Sequence, residues 1–260
     1  MAATTNIAWC DSTFNPWIGC SKVSLGCEHC YAEISTPSRA LGVNWGPHEA
    51  RRRTSTATWK LPRRWHDAHK EFSVRHGRKQ RVFCASLADV FDNQVDPAWR
   101  DDLWQLIRST PNLDWLILTK RIGNVARMLP TEWASGYANV WLGITVVNQE
   151  EADRDIPKLL NTPAAVRWLS VEPLLGPVSL AHPQGNAGET IDWVVVGGES
   201  GATPRLMEPA WAESLRAQCR NLRIAFFFKQ WGGATKEKGG CILRGIEVKE
   251  WPKSAGDMRR

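Results

Sequence analysis

From about residue 81 onward the chain repeats one alternation: a short apolar run, a polar hinge, then a longer segment with helical periodicity. The runs fall at 81–85, 115–119, 140–145, 166–170, 191–196 and 224–228. They are apolar throughout rather than alternating, as expected of strands buried on both faces. Between them, Asp96-Pro97 supplies a cap and first-turn signal for a helix through Trp99, Leu103, Leu106 and Ile107. Further helices are expected around 125–129, 149–160 and 209–219. Strands separated by amphipathic helices make a parallel sheet covered on both sides. With one more strand near the N-terminus the count is six to seven. The expected fold class is α/β, a complete or partial (β/α) TIM-type barrel; the alternative is a doubly wound open parallel sheet. All 260 residues fit one domain of that kind. A Gly/Pro/Asn loop is expected at 182–190. Residues 235–260 read as a C-terminal cap, with a hairpin at 242–248 and Trp251-Pro252 folding back as a lid.

Composition excludes several classes. Apolar residues make up 43% and charged residues 23%, which describes a globular chain rather than a disordered one. No apolar run approaches the ~18 residues of a membrane span, and the first residues carry no export signal. Seven cysteines, odd in number and unevenly spaced, do not read as a secreted disulfide framework. A reducing cytoplasm is the expected location, where clustered thiols serve as ligands or catalysts.

The net charge of +6 is concentrated. Residues 51–81 hold eleven Lys/Arg against Asp67 and Glu71, a local charge of +9, with Trp59 and Trp65 among them. Cations interleaved with aromatic rings can neutralise phosphates and stack on bases; a solvated helical face is the competing reading. Taken as an insertion or arm, the segment points to a nucleic-acid partner, DNA first.

In β/α barrels chemistry collects where strands end. Here those positions carry Ser86 and Asp89, then Thr119, Lys120 and Arg121, then Thr145, Glu172, Gly197, Gly198 and Glu199, and finally Lys229, Gln230 and Trp231. Polar residues at every strand end read as the lining of a site. Repeated glycine at 197–201 lets backbone N–H groups approach an anion. Trp231 is a candidate substrate-facing ring, whereas most of the fifteen Trp serve packing. Cys84, within a strand, is a candidate thiol hydrogen donor; a buried inert cysteine is the alternative.

One motif is denser than the rest. Cys20, Cys27 and Cys30 stand at C-x6-C-x2-C. A structural zinc site closes with four ligands and would need Cys10 or a distant His. Buried unliganded thiols are a second reading. An iron–sulfur cluster with one open iron needs three cysteines and no fourth.

The segments Asn15-Pro16, Gly19-Cys20, Gly26-Cys27-Glu28-His29-Cys30-Tyr31, Leu118-Thr119-Lys120-Arg121, Ser170-Val171-Glu172-Pro173 and Gly197-Gly198-Glu199-Ser200-Gly201 together resemble the three-Cys-motif proteins of phage and bacterial genomes. That family looks like a divergent branch of radical S-adenosylmethionine enzymes, and the Cys30-Tyr31 ending is similar to spore photoproduct lyases. The resemblance implies a barrel, a 4Fe-4S cluster on Cys20, Cys27 and Cys30, and S-adenosylmethionine on the open iron. It adds Tyr31 to the cofactor-binding candidates Ser86, Asp89, Thr119, Arg121, Thr145, Gly197, Gly198, Glu199, Gln230 and Trp231. Cys84, Lys120, Glu172 and Lys229 are the candidate catalytic residues. The usual spacing in radical S-adenosylmethionine enzymes is C-x3-C, shorter than here, and their Gly-Gly-Glu follows an earlier strand than residues 197–199. The expectation is a radical enzyme, of lyase type, acting on nucleic acid by photoproduct repair or base modification. It would be a monomer supplied by an external electron donor, with no membrane partner. A radical enzyme for a small molecule or peptide, and a non-catalytic metal-containing nucleic-acid-binding protein, are the alternatives.

Overall fold

The computed structural model describes residues 5–181, 190–235 and 239–252. In chain order the strands are β1 (Ser12–Phe14), β2 (Trp17–Ile18), β3 (Arg52–Arg53), β4 (Gln80–Cys84), β5 (Leu113–Thr119), β6 (Val140–Thr145), β7 (Val166–Val171), β8 (Trp193–Gly197), β9 (Ala225–Gln230), β10 (Ile242–Leu243) and β11 (Ile246–Glu247). The helices are α1 (Thr36–Ala40), α2 (Thr56–Trp59), α3 (Leu61–Asp67), α4 (His69–His76), α5 (Pro97–Arg108), α6 (Ile122–Met128), α7 (Gln149–Leu160) and α8 (Pro209–Leu222).

Seven strands form one all-parallel sheet in the order β1-β4-β5-β6-β7-β8-β9. That order never reverses, so the chain winds in one direction only. A doubly wound sheet must reverse at a switch point, and that alternative is excluded. The sheet is also curled. The Trp9 ring, just before β1, lies 4.6 Å from Phe83 on β4, 5.2 Å from Trp168 on β7 and 6.3 Å from Trp193 on β8. In a flat sheet β1 and β8 would stand about 24 Å apart, five strand spacings. The two end strands, β1 and β9, do not pair with each other. The fold is therefore a half-barrel, the partial form of the expected architecture.

The curl explains why the strands read as wholly apolar. Phe83, Leu116, Trp141, Trp168, Trp193 and Phe227 fill the concave side. Val82, Ile117, Leu142, Val194, Phe226 and Phe228 face the helices on the other. Gly143 serves the concave packing. It pairs with Trp168 across β6 and β7, and a Cβ there would lie 2.3 Å from the indole ring.

Trp251 does not lie over the mouth. The expected hairpin forms as β10 and β11, turning through Arg244 and Gly245, both at positive φ. Residues 248–250 then run antiparallel along β9. Trp251 packs on Phe227 at 5.0 Å, and the Arg81 guanidinium sits against both Trp251 and Trp141. This closes the end where the strands begin, opposite the site, because the antiparallel run carries residue 251 past the start of β9. Residues 182–189 of the expected loop lie outside the described residues. Among the described residues, no helix is long and apolar enough to cross a membrane.

Residues 51–79 form the later part of the crossover from β1 to β4, and Arg81 lies in β4 itself. β3 pairs with β2, and α2, α3 and α4 follow down the outer flank. Trp59 and Trp65 pack against the core, the former edge-on to Phe14 at 5.6 Å.

Candidate active site

The cysteine loop, residues 19–31, is strapped across the ends of four strands. Beyond β4, the Tyr31 hydroxyl donates to the Ser86 carbonyl at 3.1 Å. Beyond β5, Arg121 donates to the Ser21 carbonyl at 2.8 Å and to the Cys20 Sγ at 3.3 Å. Beyond β6, the Ser24 hydroxyl donates to Glu151 at 2.6 Å, and the other oxygen of that carboxylate accepts Val147 N–H at 3.1 Å. Beyond β8, His29 Nδ1 is 2.9 Å from Glu199, and Arg205 bonds Glu199, Glu28 and the Leu25 carbonyl together. Within the loop, Ser24 Oγ accepts Gly26 N–H and caps the short turn Leu25–Cys27.

Two of these anchors rest on buried carboxylates. Asp89 accepts from the Thr119 hydroxyl, the Lys120 and Phe91 amides and the Arg121 guanidinium. Glu199 accepts from the Arg205 amide and guanidinium. Burial opposes its ionisation, yet these donors and His29 outweigh it and hold the carboxyl at about 2. The Cys20 thiol is pushed up to about 11 by burial and by the Asp89 charge, against the pull of Arg121.

The three thiols suit an iron–sulfur cluster in kind, since thiolates are its usual ligands, and in place, since one loop holds all three over the mouth. Their arrangement is not a closed ligand set. Cys27 is buried, Cys20 and Cys30 are half-buried, and no disulfide joins any of the seven cysteines. Among the described residues, no three His, Cys, Asp or Glu side chains stand together as a metal-holding group.

Beneath the loop, the concave wall carries a polar layer above the aromatic floor. Lys229 Nζ donates to Glu172 at 2.5 Å, and the Ser170 hydroxyl reaches the other Glu172 oxygen at 3.4 Å. Lys120 Nζ donates to the Thr145 hydroxyl at 3.2 Å. Gly197 lies alongside the Glu172 carboxylate, where a Cβ would come within 3.2 Å of it. The half-buried Cys10 thiol packs on the same concave side. Burial and the Asp11 charge push its pKa up, while the Lys229 charge opposes them.

The structure thus brings Lys120, Thr145, Glu172 and Lys229 to one wall, and Tyr31, Ser86, Asp89, Thr119 and Arg121 to the loop's supports. Other residues lie elsewhere. Cys84 packs with the residues that face the helices, because it alternates with the inward Phe83, so its side chain lies on the side away from the concave wall. At 197–201 two backbone N–H groups are engaged: Gly198 donates to the Gln230 carbonyl and Gly201 to the Gly233 carbonyl. At Gly198 two backbones meet, which by itself requires glycine. Gln230 donates to Ser200 Oγ at 2.7 Å and buttresses the same junction. Trp231 packs on Phe228 and donates to the Ile242 carbonyl, so its ring belongs to the hairpin contact.

The basic segment is also less open than its composition suggests. Arg51 is buried, bonded to Asp92 at 2.8 Å, and Arg81 is buried beneath the barrel floor. Arg53, Arg75 and Arg78 are paired with Asp102, Glu71 and Asp11. Trp59 and Trp65 are partly buried and pack against the core. Sequence reasoning missed Asn15, His29, Glu151 and Arg205. Asn15 holds Ser86 and the Leu87 amide from the far side of the motif. His29 lies inside the cysteine motif and was legible there; Arg205 and Glu151 had no local signal.

Fold and site together define an α/β half-barrel with a three-cysteine loop across its mouth. The chain belongs to the family described as "Protein of unknown function (DUF5131)", whose model matches residues 4–258. No curated protein matches it. Among solved structures it is similar to a spore photoproduct lyase mutant with bound AdoMet and dinucleoside spore photoproduct, at 13% identity and a TM-score of 0.43. That alignment covers 89% of this chain, which spans 61% of the length of the other.

Proposed function

We propose that this protein is a radical S-adenosylmethionine-type iron–sulfur enzyme acting on nucleic acid. The observation that carries the reading is the strapping of the C-x6-C-x2-C loop across four strand ends, directly above a wall of ionic side chains. Cys20, Cys27 and Cys30 would hold a 4Fe-4S cluster, and with S-adenosylmethionine on the open iron the pair supplies hydrogen-abstracting radical chemistry. The chain's own contribution is position, charge and exclusion of water. Arg121 and Arg205 fix the two flanks of the loop. Lys229, Glu172 and Lys120 offer paired charges to a polar ligand entering from above. The packed indoles of Trp9, Trp141, Trp168 and Trp193 close the floor, so a reactive species at the mouth meets no water from below. An external donor would supply the electron.

A small-molecule substrate is the second reading. What favours it is the path of 51–81 down the outer flank, which takes its exposed cations away from the mouth.

Anaerobic reconstitution tests the proposal. The expected result is a brown protein whose iron and acid-labile sulfide are lost on replacing any one of Cys20, Cys27 or Cys30 by Ala. On reduction it should cleave S-adenosylmethionine to methionine and 5′-deoxyadenosine. A colourless protein holding stoichiometric zinc and no iron would overturn it.

A further inference from the structure

On the outer flank, between the β3–α3 segment and α5, lies a cavity of about 330 Å³. Three cations line it, Arg53, Lys60 and Arg63, against one carboxylate, Asp102. That carboxylate is already engaged, since Arg53 Nη2 donates to it at 2.6 Å. The Arg53 guanidinium also lies over the Trp59 ring, 4.3 Å from its centroid. Stacking and pairing together hold this guanidinium flat before any ligand arrives, so little freedom remains to be lost on binding. Lys60, Arg63 and Arg64 are exposed and share one stripe of α3, at spacings of three and four, while Pro62 and Trp65 pack inward. Like charges at those spacings oppose the helix, and among the described residues no ion pair relieves them. Lys70 continues the exposed cations onto α4.

We infer that this cavity binds a phosphate group carried by a nucleic-acid strand. A preset guanidinium beside two further cations matches an oxyanion of charge greater than one. The continuation through Arg64 and Lys70 matches a run of phosphates rather than a single one. The site lies away from the barrel mouth, so it grips the strand and touches no reacting group. The inference rests on the nucleic-acid partner proposed above but not on the cluster, and protein without iron can test it.

The experiment measures anisotropy of labelled oligothymidylate with the full-length protein as purified, across a salt series. Inorganic phosphate and thymidine 5′-monophosphate serve as competitors. The variant is Lys60→Gln with Arg63→Gln, and the control is Arg216→Gln with Arg220→Gln on α8, which removes equal charge elsewhere. Loss of two phosphate contacts should flatten the plot of log affinity against log salt by about 1.4 and weaken low-salt binding about tenfold or more. The control should follow wild type. Equal binding by the cavity variant and wild type would overturn the inference, as would an equal loss in the control. Displacement by the mononucleotide at matched phosphate concentration would also overturn it, since the site would then belong to a free nucleotide. An iron-free wild type that binds oligonucleotide while reconstitution fails leaves this inference standing and removes the catalytic one.

Discussion

The guanidinium of Arg121 joins Cys20 to Asp89: a single nitrogen, Nη1, stands 3.3 Å from the thiol sulfur and 3.1 Å from the carboxylate. Its other nitrogen holds Ser21 by carbonyl and hydroxyl. Both Arg121 and Asp89 side chains are 7% exposed, so this is a buried pair.

Removing one partner of such a pair leaves the other charge buried and under-satisfied. Arg121→Ala should therefore cost about 3 kcal/mol and free the first half of the cysteine loop. Arg121→Lys keeps the charge but not the fork, and should fall between. Urea midpoints measure the first effect and the alkylation rate of Cys20 the second. An Ala variant with wild-type values for both would show that the guanidinium does not hold the loop.

The Glu199–Arg205 pair predicts a pH dependence. A free glutamate ionises near about 4.3, and Glu199 is held at about 2. Because the folded value is the lower one, its stabilisation is fully present above about pH 4.3. It is lost as pH falls through 2. The shift corresponds to at most about 3 kcal/mol. Glu199→Gln should thus be clearly less stable than wild type at pH 7, with the gap closing between pH 4.3 and 2. Urea unfolding at three pH values measures it, and a gap constant across that range would refute the assignment.

The strands were legible because burial on both faces leaves continuous apolar runs, and β6 and α7 fall at 140–145 and 149–160, as their patterns imply. The barrel pattern implied a curl, but how far it closes was not legible: that depends on Trp9 meeting Trp193 across the concave side, a contact between residues far apart in sequence. At the candidate site, strand-end positions were enough to bring Lys229, Glu172 and Asp89 into consideration, since a barrel puts such ends together. Direction was lost where residue type says nothing of facing. Cys84 next to Phe83 is one residue from pointing inward, and Gly198 looks the same whether it faces an anion or another backbone.

Cys84 gives a prediction that separates packing from chemistry. Its thiol is fully buried on the helix side, where burial pushes its pKa up. Cys84→Ala should cost about 1–2 kcal/mol of stability and leave cluster assembly unchanged. Cys84→Ser, which buries a hydroxyl in an apolar layer, should cost about 1–3 kcal/mol more. Thermal melts set beside iron content measure both. A stable Ala variant that binds iron but has lost all substrate turnover would restore a chemical role to this thiol.

A junction of two backbones closes the candidate site beyond β8 and β9. A Cβ at Gly198 would stand 1.8 Å from the Trp231 carbonyl oxygen, and one at Gly232 would stand 2.3 Å from the Glu199 carbonyl oxygen. Both obstacles are backbone, so neither can swing aside as a side chain would. Hydrogen bonds from Gly198 to Gln230 and from Gly233 to Glu199 hold the two segments at that separation. Gly198→Ala must therefore part them, at a cost of about 4 kcal/mol or more, and the parting displaces the carboxylate that holds His29 and Arg205. Gly201 differs: no atom lies within 4 Å of its Cβ position, and only its φ of +151° resists substitution. Gly201→Ala should cost about 1–3 kcal/mol and leave the cysteine loop in place. Denaturant midpoints, read together with hydrogen exchange of the Gly198 and Gly233 amides, distinguish the two. If Gly198→Ala kept those amides protected, the two backbones would have room for a methyl group, and the requirement for glycine at 198 would need another cause.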